Sequence, residues 1–345
     1  MRKPKDLSVT VISSEADRAD ESELGTVLRH LAGHVRGVTL ATPDDPELTS
    51  TASDVVHAFG WAAGVAASTN RSGTPVLVSP PALASGDGLP RDDVELDSLV
   101  RADAVLVSSS RHREEVHNLG IPWYRLTTVP PTVDVDVYTR RGAAAARTDR
   151  HRLVAEVGPD ADEAGTIFHA MRLVESTELI LFADAGADTD RLRSRAGAEG
   201  VGDRTAVVTP SEPGERAWWL RSSDAAVVIP SQTCESPLAL QAMACGSAVV
   251  ATPVDQLEDV VVHGVTGFHV PSGDAVSLAR ALRTVLADEF SIESLGMAAS
   301  DRAVNRFSPE RVARDLASAY ARSAGDAPAQ DEEPELVDDS IATGV

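Results

Sequence analysis

The strongest constraint on this chain is an alternation. Short apolar runs take turns with longer segments whose apolar residues recur every three to four positions. Leu7–Ser13 reads as a buried strand, and Glu21–His34 as a helix with Leu24, Val27, Leu28 and Leu31 on one face. Gly37–Thr42, Asp54–Ala58, Pro75–Ser79, Ala104–Ser108 and Leu126–Val129 read as strands. Trp61–Thr69, Val94–Ala102 and Ser110–Leu119 read as the helices between them, the last capped by Ser109 or Ser110 and stopped by Gly120. Strands alternating with helices in this way imply a parallel sheet wrapped on both faces.

The series then breaks and restarts. Arg140–Arg150 is rich in Ala and Arg, contains Gly142 and carries no strand pattern, so residues 140–150 read as a linker and the region of a hinge. Strands follow at Arg152–Val157, Glu178–Ala183, Thr205–Val208, Ala225–Ile229 and Ala248–Ala251. The intervening helices are Gly165–Val174, Asp190–Gly197, Pro213–Ser222 and Ser236–Cys245, with Ala275–Ala287 and Pro309–Arg322 after the last strand. The expected organisation is α/β, with two doubly wound domains: residues 1–139, then residues 151–325 including the closing helix. Residues 326–345 hold seven acidic and no basic side chains and read as a disordered, solubilising tail.

Charge narrows the function. The net charge of −22 argues against general binding to nucleic acid backbones or anionic membrane surfaces. Lys3 and Lys5 are the only lysines, which fits a high-GC coding bias or adaptation to salt. Cys234 and Cys245 cannot build a disulfide framework or a four-thiolate metal site. The basic start is followed at once by acidic residues, and no apolar stretch of about 20 residues occurs, so a soluble cytoplasmic protein is expected.

The most informative stretch is Val228–Pro271, VIPSQTCESPLALQAMACGSAVVATPVDQLEDVVVHGVTGFHVP. A strand ends at Pro230, a loop leads into a helix N-terminus, and Gly246 stops that helix. Doubly wound folds bind ligands at such strand-end loops, where unpaired N–H groups attract anions and hydroxyls. Gly264 and Gly267 suit a tight turn that needs positive φ.

This stretch resembles the C-terminal domain of GT-B glycosyltransferases of the family 4 type, a retaining group that includes sucrose-phosphate synthase-like and inositol-phosphate glycosyltransferase-like enzymes. AMACGSAVVAT and VVHGVTGFHVP carry the likeness together. DVVHAFGWAAG, ADAVLVSSSRHREEVHNLGI, LTTVPPTVDVDVYT and FSPERVARDLASAYA agree in order, so it spans most of residues 7–322. The resemblance implies two Rossmann-like domains facing a cleft. It also implies transfer of a hexose from a nucleotide sugar held by the second domain, with no further cofactor.

Several family marks are altered. The Arg and Lys that stabilise the leaving diphosphate in the pattern G-R-x4-K-G are replaced by Pro159 and Ala164 in Gly158–Gly165, among Asp160, Asp162 and Glu163. Magnesium could bridge these carboxylates, although a solvated loop explains them more simply. Of the E-x7-E pair that meets the sugar and the ribose, the second position is Gln241 and the first is Thr233 or, with a loop one residue short, Glu235. Gln241 can bond ribose hydroxyls, because an amide both donates and accepts. Glu235 is the candidate catalytic carboxylate, or else an exposed acid favoured by the helix dipole. Ser236 stands beside it at the donor. The glycine-rich loop after the first strand is the acidic Ser13–Glu23, and Pro81 stands about where a family histidine would be. His57, at the end of its own strand, remains as a candidate donor contact or a structural residue.

Three readings follow: a divergent glycosyltransferase acting on an unknown acceptor, a degenerate one serving as a binding or scaffold partner of an active paralogue, and a nucleotide-sugar sensor. A working site would need substitute cations. Arg111, Arg113, Arg216, Arg221 and His57 are the candidates, and none is expected to converge in pairs beside Pro159 and Ala164.

Overall fold

The computed structural model describes residues 3–13, 23–45, 52–69, 73–81, 90, 92–157, 162–183, 186–230 and 237–325. Two six-stranded sheets form, and every ladder among the described residues is parallel. The first contains β1 (Ser8–Ile12), β2 (Gly37–Ala41), β3 (Val55–Phe59), β4 (Val76–Ser79), β5 (Ala104–Val107) and β6 (Leu126–Thr128), in the order β2-β1-β3-β4-β5-β6. Its helices are α1 (Glu23–Leu31), α2 (Trp61–Thr69), α3 (Asp93–Arg101) and α4 (Ser110–Asn118). Ser109 caps α4 by accepting from the His112 N–H, and Gly120 follows it with φ 95°.

The second sheet contains β7 (His151–Val157), β8 (Thr177–Ala183), β9 (Thr205–Val208), β10 (Ala225–Val228), β11 (Ala248–Ala251) and β12 (Gly267–His269), in the order β12-β11-β10-β7-β8-β9. Its helices are α5 (Asp162–Leu173), α6 (Thr189–Ala198), α7 (Pro213–Leu220), α8 (Leu238–Cys245), α9 (Leu257–Val260) and α10 (Ala275–Val285), with α11 (Glu289–Phe307) and α12 (Pro309–Gly325) closing the chain. This is the doubly wound α/β organisation expected from the alternation. Each sheet separates two cores. On β7, for instance, Leu153, Ala155 and Val157 join one cluster and Val154 the other, as two-residue strand periodicity requires.

Two features depart from the sequence reading. Helix α11 follows no bulky apolar stripe. Its buried residues include Gly296, Ala299, Ser300 and Ala303, while Phe290, Met297 and Val304 are exposed. Small residues let it sit close to α8, and a Cβ at Gly296 would collide with the Gly246 carbonyl. The second departure is at the turn before β12. Gly264 has φ 76° as expected, but Gly267 does not share it. Gly267 is needed because a Cβ there would run into the Val249 carbonyl of β11.

The last helix returns to the first sheet. Val312, Leu316 and Tyr320 of α12 share a core with Leu7 and Val9 of β1 and with Val27 and Leu31 of α1. The two chain crossings between the units lie side by side, with the Val133 N–H donating to the Phe307 carbonyl at 2.9 Å. Residues 137–147 run along the second unit. Arg221 donates to the carbonyls of Val137, Thr139 and Ala143, and Arg147 Nη2 alone meets both carboxylate oxygens of Asp224 at 2.6 and 2.7 Å. Among the described residues no helix is long and apolar enough to cross a membrane.

Candidate active-site cleft

Parallel doubly wound sheets bind ligands beyond the carboxyl ends of their strands, where the strand order reverses. The first sheet reverses between β1 and β3, and the second between β7 and β10. These carboxyl edges face one another. The Asp259 carboxylate of α9, beyond β11, accepts from the backbone N–H of Ser110 in the first turn of α4, beyond β5, at 2.6 Å.

A cavity of about 520 Å³ opens at the reversal point of the first sheet. Ser13, Gly60 and Ser108, each just beyond a strand end, and Ser79, the last residue of β4, line it together with Thr132. Leu24 and Val27 of α1 and Val312 and Leu316 of α12 form apolar walls, and Gln256 borders it from the second unit. Cavities of this size suit small-molecule ligands.

His57 lies beneath this cavity and is fully buried. Its Nδ1 is 2.7 Å from the Tyr320 hydroxyl, and its Nε2 is 2.8 Å from Ser79 Oγ. Tyr320 is also fully buried, and a buried hydroxyl left without an acceptor costs about 1–3 kcal/mol. The satisfied arrangement therefore has Tyr320 donating to Nδ1 and the Nε2–H donating to Ser79 Oγ. Burial pushes the His57 pKa down to about 3, so the ring is neutral. His57 borders the cavity alongside Ser79, with which its Nε2 is paired. His112 is likewise buried, 3.2 Å from Ser108 Oγ, and burial lowers its pKa to about 4 against the opposing charge of Asp255.

On the opposite wall, Gln241 occupies the second turn of α8 and is buried. Its Oε1 accepts from Arg216 Nε at 3.1 Å, and Arg216 Nη1 meets the Glu156 carboxylate at 2.7 Å near the end of β7. The Arg216 guanidinium also stacks 4.8 Å from the Phe182 ring centroid. Its Nη2 is buried without a hydrogen-bond partner.

The other expected cations are engaged elsewhere: Arg111 with Glu115 of its own helix, Arg113 with the Trp123 carbonyl, and Arg221 with residues 137–143. Ala164, where a clamping lysine was sought, is packed in the core. Arg195 was missed in the sequence. Its Cζ lies 3.1 Å from where a Cβ on Gly165 would stand, in the first turn of α5. Only the bare glycine leaves that space, and a lone arginine on α6 gives no motif to find. Pro159, Thr233, Cys234, Glu235 and Ser236 lie outside the described residues. Cys245 is a buried thiol whose pKa burial pushes up to about 12.

Two Rossmann-like units with facing carboxyl edges define a GT-B glycosyltransferase fold. Solved structures agree. Sucrose-phosphate synthase from Thermosynechococcus elongatus superposes with a TM-score of 0.70 at 20% identity, over 91% of this chain and 98% of that one. Anabaena HepE in complex with UDP gives 0.73 at 14% identity, over 91% and 99%. The family described as Glycosyl transferases group 1 matches residues 154–288. D-inositol 3-phosphate glycosyltransferase of Xylanimonas cellulosilytica is 30% identical over 80% of this chain and 74% of its own length. The enzyme of the same name from Geodermatophilus obscurus is 31% identical over 79% and 67%. The chain belongs to the group 1 glycosyltransferases.

Proposed function

We propose that this protein transfers a hexosyl group from a nucleotide sugar, held on the wall of the second sheet, to a hydroxyl-bearing acceptor in the cavity of the first. The observation that carries the reading is the meeting of the two carboxyl edges across one cleft, joined through Asp259 and Ser110. A donor at the β7–β10 reversal would lie beside Gln241 and Arg216, and Glu235 and Ser236, which follow β10 in sequence and lie outside the described residues, are the further donor contacts we propose. The buried Nη2 of Arg216, which has no hydrogen-bond partner, supports this placement by offering positive charge on that wall. Retention of configuration comes with the family 4 resemblance. UDP-sugars are the first donors to test, because HepE was solved with UDP and with UDP-glucose.

A second reading, binding without turnover, is favoured by one observation: Arg216 is already neutralised by Glu156. Calorimetry with UDP-, GDP- and ADP-sugars, followed by a turnover assay, separates the two. Micromolar binding with sugar transfer that is lost in Glu235→Ala or Gln241→Ala is the expected result. Binding without transfer supports a sensor, and no binding at millimolar donor supports a scaffold for a protein partner.

A further inference from the structure

We propose that the cavity of the first sheet takes an uncharged acceptor with a polar, oxygen-rich head and an apolar body, and that the Ser79 hydroxyl donates the hydrogen bond that orients the head. The proposal rests on the transfer reading above and specifies its acceptor class.

The lining is mixed. Hydroxyl residues Ser13, Ser79, Ser108 and Thr132 sit among apolar Phe59 and Pro80, and Leu24, Val27, Val312 and Leu316 add further apolar surface. A molecule filling the cavity meets hydroxyls and apolar surface together, which suits an amphipathic one. No lysine or arginine is among the described lining residues, and the chain carries a net charge of −22. A phosphate brought here would meet no countercharge among the described lining residues to offset the water it gives up.

The buried pair beneath the floor sets the polarity of Ser79. With Tyr320 donating to Nδ1 and the Nε2–H donating to Ser79 Oγ, the serine oxygen is already an acceptor within the protein. Its own proton is left to turn toward the cavity. Ser79 thereby presents a donor, which suits an ether or hydroxyl oxygen of a neutral sugar or polyol head. His57 and Tyr320 are positioning residues that act through Ser79.

The test uses the full chain with two probes, n-octyl β-D-glucopyranoside as monomer and D-inositol 3-phosphate, titrated by calorimetry. The octyl glucoside is expected to bind more tightly than the phosphate. Ser79→Ala should weaken it about fivefold or more, and Ser79→Thr, which keeps the hydroxyl, should not. The imidazole ¹⁵N shifts of His57 in the unaltered protein should report a protonated Nε2, a readout that stands even if Ser79→Ala fails to fold. Tighter binding of the phosphate, octyl glucoside binding indifferent to Ser79→Ala, or a protonated Nδ1 overturns the proposal. Binding of UDP-glucose without binding of octyl glucoside sinks this inference and leaves the transfer reading standing. Octyl glucoside binding without any nucleotide-sugar binding does the reverse.

Discussion

The Asp259 carboxylate and the backbone N–H of Ser110 are 2.6 Å apart, although 149 residues separate them in sequence. One belongs to the second unit and the other to the first turn of α4. A negative charge at a helix N-terminus is favourable through the dipole and the unpaired N–H groups. The contact therefore holds the two carboxyl edges at a fixed spacing.

Removing that charge should loosen the cleft. Asp259→Ala is expected to cost about 1 kcal/mol in urea unfolding, since such helix-end charges contribute roughly 0.3–1 kcal/mol and more when partly buried. Small-angle scattering should show a larger radius of gyration. An unchanged radius would mean that other contacts set the spacing.

The Glu156–Arg216 pair offers a sharper contrast. Its side chains are 15% and 17% exposed, so each partner is largely withdrawn from water. Arg216→Met should cost about 3 kcal/mol, because it removes the guanidinium paired with the largely buried Glu156 carboxylate. The double variant Arg216→Met/Glu156→Leu should recover most of that loss. A double variant as unstable as the single one would show that Arg216 acts through Phe182 and Gln241 instead.

Acid should destabilise the first unit through two histidines. His57 and His112 titrate near 3 and 4 when folded, below the ordinary value of 6.5. As pH falls below 6.5 the unfolded chain takes up these protons first. Stability is then complete above that pH and declines by about 1.4 kcal/mol per pH unit for each histidine. The window runs from pH 6.5 down to about 4 for His112 and on to about 3 for His57, where each protonates in the folded state as well. Urea unfolding at pH 7.5 and 5.5 checks the slope, and His112→Gln should remove about half of the loss.

Two glycines three residues apart should respond differently to alanine. Gly267→Ala drives a methyl into the Val249 carbonyl and should displace β12 from its sheet edge. Gly264→Ala meets open space and should cost about 1 kcal/mol for its φ of 76° alone. Thermal unfolding that ranks the two the other way would contradict this account.

These residues also show how far the sequence was readable. The strand–helix alternation predicted the two sheets, because a buried strand must be apolar and its covering helix amphipathic. The stripe of small residues on α11 escaped, since close helix packing at Gly296 selects for lack of bulk, which no hydrophobic period records. The sequence motif named Gln241, which the structure buries on α8 against Arg216. Tertiary packing of long side chains was hidden: the sequence did not show that Arg216 would reach Glu156 or that Arg195 would lie beside Gly165. The pairing of His57 with Tyr320 joins two segments that no local pattern connects.

That pairing has a consequence for biosynthesis. The hydroxyl that satisfies His57 is supplied 263 residues later, by a helix that also fills the core of the first sheet. During translation the first sheet must wait, with an apolar face open, until the second unit and α12 have left the ribosome. A chain released after β12 but before Pro309 would carry that defect in its opening half while every strand of its second sheet was already made. Quality control acting on such fragments would recognise a fault at one end of the molecule that was caused at the other.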